Sequence, residues 1–207
     1  MPLDDAGAGR PVVLRLRPMV AEIKGLLLNG WMRFLRERFG AEPVAQAIET
    51  LGPEDQRLLS SVFLPSSWYR YDALHGLRRL TRLLTTPADR NLAVEIGRAM
   101  AHQAFTGVYR PLLCKDPSKQ VEQFPATADF FFRETRKLET EMLDASSCIV
   151  RHVYQGGARP TRAICASTMG FWGQTLELAG ASKVESEHPR CAAQGGSVCE
   201  YAFRWQL

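Results

Sequence analysis

Val198-Cys-Glu-Tyr-Ala-Phe-Arg-Trp205, close to the carboxyl end, alternates without a break. Cys199, Tyr201, Phe203 and Trp205 fall on one side and Glu200, Ala202 and Arg204 on the other, the period of two that a half-buried strand imposes. Gly195-Gly196 before it marks a turn. Upstream, Ser182 to Glu187 reads as a second strand. Thr161 to Ala179 reads as a helix, with Ile164, Thr168, Phe171, Thr175 and Leu178 on one side and Gly180 as its stop. Ser146-Ser-Cys-Ile-Val-Arg-His-Val153 is rich in strand formers and runs into Gly156-Gly157. Short strands are expected from Leu138 onward, while Gln123 to Phe132 fits either period.

The first half has a different rhythm. Trp31, Phe34, Leu35 and Phe39 recur at helical spacing up to Gly40, and Gly52-Pro53-Glu-Asp55 opens another helix with proline in its first turn. A further helix is predicted after Pro65-Ser-Ser67, capped by Ser67, with Leu74, Leu77, Leu80 and Leu84 as its stripe. Pro87-Ala-Asp89 opens a long one with Leu92, Ile96, Met100 and Ala104 on one side. Val12 to Arg17 reads as a short strand ended by Pro18. The expected architecture is α+β: amino-terminal helices packed on an antiparallel sheet with one inserted helix. Residues 1–10 read as a flexible tail and 11–207 as one domain, with 11–115 mainly helical and 116–207 the sheet half.

Composition narrows the function. With 207 residues, 45% hydrophobic and 23% charged, the chain can bury one core and lies far from disordered or fibrous proteins. The charge-free run from Gly25 to Met32 falls short of the roughly 20 apolar residues of a membrane span. The acidic start Met1-Pro-Leu-Asp-Asp5 lacks a secretory signal, so the expected compartment is the reducing cytoplasm and the cysteines are thiols or ligands rather than disulfides. A net charge of +4 is too weak to indicate nucleic acid, and the arginine groups around Arg36 and Arg79 alternate with apolar residues as wet helix faces do.

Three of the five cysteines and one of the four histidines fall from Cys165 onward. Cys165 lies in the first turns of the predicted helix, His188 and Cys191 bracket Pro189-Arg190 at a strand end, and Cys199 opens the last strand. Three sulfurs and one imidazole suit a closed tetrahedral Zn²⁺, a structural site without an open position for water. The spacing allows the alternative that Cys165 and Cys199 are small buried hydrophobes.

Cys165-Ala-Ser-Thr-Met-Gly-Phe-Trp-Gly173 through Leu176-Glu-Leu-Ala-Gly-Ala181, with His188-Pro-Arg-Cys191 and Gly195-Gly-Ser-Val-Cys199-Glu-Tyr-Ala-Phe203, resembles the carboxy-terminal signature of 4-vinyl reductase domains. That resemblance implies structural zinc on Cys165, His188, Cys191 and Cys199, with His188 standing where aromatic-sensing members have a carboxylate and Glu187 as its local substitute. Over nearly the whole chain, Arg36-Glu-Arg-Phe-Gly40, Leu51-Gly-Pro-Glu-Asp55, Ser66-Ser-Trp-Tyr69, Ile96-Gly-Arg98 and the Trp205 ending are similar to a myxobacterial paralogous family of unknown function. The implied fold is shared by 4-vinyl reductase domains, haem-based nitric oxide sensors and small TRAPP subunits, often dimeric through amino-terminal helices.

The resemblance further implies a space for a small hydrophobic or aromatic molecule. Its candidate lining is Trp68, Tyr69, Tyr71, Phe105, Tyr109, Phe130, Phe131, Phe132 and Trp172, with His102 as polar anchor. The sensors' Tyr-x-Ser-x-Arg propionate motif finds no match, which disfavours haem. No nucleophile elbow, phosphate loop or dinucleotide fingerprint occurs. The expected function is a non-enzymatic, zinc-stabilised sensory domain working as a homodimer through an unidentified regulatory partner. A TRAPP-like interaction scaffold and an enzyme acting on a tetrapyrrole or aromatic compound are the alternatives.

Overall fold

Alternating burial along the last strand organises the carboxy-terminal half. The computed structural model describes residues 20–86, 89 and 91–207, so the expected tail 1–10 and the strand at Val12 to Arg17 lie outside the described residues. Cys199, Tyr201, Phe203 and Trp205 of β7 (Val198–Gln206) are buried, while Arg204 between them is exposed. β7 is central in a four-stranded antiparallel sheet of order β4-β5-β7-β6, with β4 Arg136–Asp144, β5 Ser147–Tyr154 and β6 Ser182–Arg190. Its register sets Arg136 beside Tyr154, His152 beside Cys199 and Val150 beside Tyr201, one continuous inner row. On the outer face Arg151 bonds Glu200 and Glu141, each at 2.8 Å, and holds three strands together.

The helical half consists of α1 (Gly25–Phe39), α2 (Ala41–Glu49), α3 (Pro53–Leu59), α4 (Ala73–Leu84) and α5 (Leu92–Thr106). The sequence reading missed a small sheet here. β1 (Glu22–Lys24) pairs with β2 (Trp68–Arg70) and with β3 (Phe132–Arg133). Where a helix capped by Ser67 was expected, Trp68–Arg70 is strand and the helix starts at Ala73. Three-residue strands carry too little periodicity to read, and pairing from distant segments fixes them. The ambiguous run becomes α6 (Pro117–Phe131), begun by Asp116, whose Oδ1 accepts the Ser118 and Lys119 backbone N–H groups at 2.9 and 3.2 Å.

The inserted helix α7 (Arg162–Leu178) lies against the sheet's inner face and crosses α5. The crossing brings backbone onto backbone. A Cβ on Gly97 would sit 1.8 Å from the Ser167 carbonyl oxygen, and one on Gly170 2.1 Å from that of Val94. Only glycine allows helices this close. Arg98 of α5 and Glu177 of α7 pair beside the crossing.

Candidate functional site

Three elements converge at one corner of the sheet. Thr161 caps α7 by accepting the Ile164 N–H at 3.3 Å, which sets Cys165 one turn in, at the helix's positive end. β6 delivers His188. Cys191 starts the short 3-10 turn Ala192–Gln194, whose reversal returns the chain to Cys199 at the head of β7. The structure brings all four together: one donor atom from each of Cys165, His188, Cys191 and Cys199 lies within 4.8 Å of the others. The Cys165 and Cys199 Sγ atoms are 3.4 Å apart, and Cys191 Sγ is 3.9 Å from Cys165 Sγ.

The environment favours thiolate at Cys199 and opposes it at Cys165. The paired Cys165 sulfur and the Ala192 N–H, which Cys199 Sγ accepts at 3.3 Å, hold the Cys199 thiol below its ordinary range against the opposing effect of burial. Cys165, as donor in a buried pair, is pushed up. The His188 ring stacks on Tyr201 with centroids 4.5 Å apart, and its Nε2 is buried without a partner. With the three sulfurs, this imidazole makes a compact set of four donors. The other cysteines stand elsewhere: Cys148 is buried in β5 with its thiol pushed up to about 12 by burial, and Cys114 precedes α6.

The expected ligand wall does not converge on one space. Tyr71, Phe105, Phe131 and Trp172 are buried core, with Phe105, Phe131 and Phe171 packed ring to ring and Trp172 on Phe124 at 4.3 Å. Tyr109 lies edge-on to Phe131, and Phe130 is about half exposed. Trp68 sits at the surface with the Lys24 ammonium and the Arg133 guanidinium on its ring, and the Tyr69 hydroxyl accepts the Leu64 N–H. His102 is exposed on α5. Phe132 and Trp172 alone of the expected set border the core cavity, which measures about 30 Å³ and is also lined by Trp31, Arg136, His152 and Thr168.

Two residues without an expected role dominate that cavity. Arg136 is 8% exposed, and its Nη1 lies 2.8 Å from His152 Nδ1; Trp172 Nε1–H donates to His152 Nε2 at 3.1 Å. Burial first, then the Arg136 charge, holds His152 well below the usual imidazole range, so the ring is neutral at pH 7.

No family model and no curated protein matches this sequence. Solved structures do. An H-NOX protein from S. oneidensis in the Fe(II)NO state aligns over 89% of this chain and 100% of its own, with TM-score 0.67 at 14% identity. An unliganded Fe(II) H-NOX mutant from K. algicida covers 89% and 97%, with TM-score 0.65 at 15% identity. An oxygen-binding H-NOX domain related to soluble guanylate cyclases covers 89% and 96%, with TM-score 0.63 at 11% identity.

These matches establish the fold: a mixed α/β arrangement of helices and antiparallel sheets like that of H-NOX domains. They bear only on the haem-sensor arm of the expected fold and overturn the assignment to the 4-vinyl reductase superfamily and its myxobacterial relatives. The zinc expected from the donor set and from that resemblance is corrected with it, since the solved neighbours are described by iron. The zinc-stabilised function is corrected on the same ground. Among the described residues no helix is long and apolar enough to cross a membrane.

Haem, which the likeness implies, does not fit these residues. Small-molecule sites measure roughly 300–1,000 Å³, ten times or more the apolar cavity of about 30 Å³ between the helices and the sheet. No histidine offers an open nitrogen to an apolar space: His102 is exposed, His188 belongs to the sulfur cluster and both nitrogens of His152 are engaged. His75, half-buried and edge-on to Tyr71, borders a cleft of about 760 Å³ that is open to solvent and carries Glu54, Asp55, Asp72 and Arg79, not an apolar space.

Proposed function

We propose that this chain is a binding, non-catalytic sensory domain on the H-NOX fold, with its chemical centre at the Cys165, His188, Cys191 and Cys199 cluster rather than at a haem. The convergence of the four donor atoms within 4.8 Å carries the reading. Three sulfurs and an imidazole select one soft metal ion, and neither carboxylate nor water is needed to complete four-coordination. The donor set is a property of this chain's own residues and commits the reading to no particular ion. Occupancy ties α7 to the turn between β6 and β7, so loading and loss change how firmly that corner is held. Reduced thiols suit a cytoplasmic setting. A homodimer through the amino-terminal helices and a regulatory protein partner complete the reading; light scattering on the purified chain tests the dimer.

Cobalt(II) titration of reduced, metal-stripped protein tests the centre. A near-ultraviolet thiolate-to-cobalt band is expected to saturate at about one ion per chain, the stoichiometry of a single four-ligand site. Cys191→Ser, at a half-buried position, is expected to weaken the band and lower affinity by at least tenfold. No band, or an unchanged titration in Cys191→Ser, overturns the reading.

A further inference from the structure

The core around His152 holds more hydrogen-bond donors than its acceptors can serve. Arg136 and the Trp172 indole can only donate, and both aim at His152. A neutral imidazole has one acceptor nitrogen, and its other nitrogen carries a hydrogen. One of the two donors therefore faces an N–H rather than a lone pair, whichever tautomer is present. Arg136 Nε is a second surplus donor, buried without a partner. The guanidinium is a buried cation that lies over the Phe132 ring, 3.7 Å from its centroid, and no carboxylate among the described residues pairs with it. A buried charge in that condition costs several kcal/mol unless something of opposite sign joins it.

The cavity lies where that something would sit. Arg136, His152, Trp172 and Thr168 all border it, and its volume is about 30 Å³. That is room for about two waters, or for one anion of a few heavy atoms. We propose that this cavity is a binding site for a small monovalent anion of formate, nitrate or halide size, with the Arg136 guanidinium as its charge partner and the Thr168 hydroxyl as a further donor. The anion supplies the acceptors that the core lacks and neutralises Arg136. The charge partner is not a member of the sulfur cluster, since Arg136 belongs to β4, but the two adjoin: His152 on β5 meets Arg136 on one side and lies in register with Cys199 on the other.

Thermal melts of the full chain with reduced thiols test it, with gluconate replaced stepwise by formate at constant ionic strength. Gluconate is too large for the cavity. The expected result is a saturating rise in Tm of a few degrees, matched by saturation transfer from protein to the formate proton in NMR. Arg136→Met is expected to remove both signals. Arg136→Lys keeps the charge and loses the planar fork, and it is expected to raise the half-saturating formate concentration about tenfold. Should Arg136→Met fail to fold, Arg136→Lys and Thr168→Val carry the test. The proposal is overturned if the wild type shows neither signal up to about 100 mM formate, about a hundredfold above the dissociation constant of a millimolar site. It is equally overturned if Arg136→Lys and Thr168→Val titrate like the wild type.

Discussion

His152 is fully buried with its imidazolium disfavoured, first by desolvation and then by Arg136. The sign follows from linkage. The folded pKa is far below the ordinary 6.5, so below that pH the unfolded chain takes up a proton that the folded chain refuses. Its contribution is complete above about pH 6.5 and is lost as pH falls. Urea unfolding from pH 7 to 5 is expected to lose up to about 1.4 kcal/mol per pH unit below that point, and His152→Gln is expected to flatten the slope. Trp172→Phe keeps the ring packing and removes the indole donor to His152, an expected loss of about 1 kcal/mol. The four cluster residues were legible in the sequence because their residue types are rare and their spacing is informative. Arg136 and His152 were not. Arg136-Lys137-Leu138-Glu139 looks like a solvated strand start, and only the register against Tyr154 turns the arginine inward. His102 was singled out on a helix whose exposed face it occupies.

Between elements, the α5 and α7 crossing sets the tolerance. Gly97→Ala would drive a methyl into the Ser167 carbonyl and Gly170→Ala one into that of Val94, and backbone cannot swing aside as a side chain can. Each is expected to cost about 3 kcal/mol or to prevent folding, read by chemical denaturation. Arg98→Ala removes the neighbouring ion pair with Glu177, in which both side chains are partly exposed, and is expected to cost no more than about 1 kcal/mol. Sequence periodicity located the long helices and the strands of the larger sheet. It missed β1 and β2, because a three-residue strand exists only through its partner. Gly97 and Gly170 sit inside clean helical patterns as unexplained weak points, and the fold supplies their reason.

Across the whole molecule, the order of helices followed by an antiparallel sheet was readable, and of the three groups that the resemblance gave this fold, the haem-based nitric oxide sensors are the ones the solved structures match. At 11 to 15% identity the likeness to H-NOX structures resides in the path of the backbone. The packing inside that path is this chain's own. Phe124 against Trp172 and the interlocked Phe105, Phe131 and Phe171 occupy the core, and haemin added to the purified chain is expected to give no coordinated Soret band. A saturating one-to-one band would reverse that conclusion. The glycine crossing carries one more consequence, a mechanical one. Side chains between helices act as cushions, deforming under small displacements, but α5 and α7 meet without cushions at Gly97 and Gly170. Backbone resting on backbone leaves no side-chain layer for α7 to slide on, so the two helices form one stiff unit at that contact.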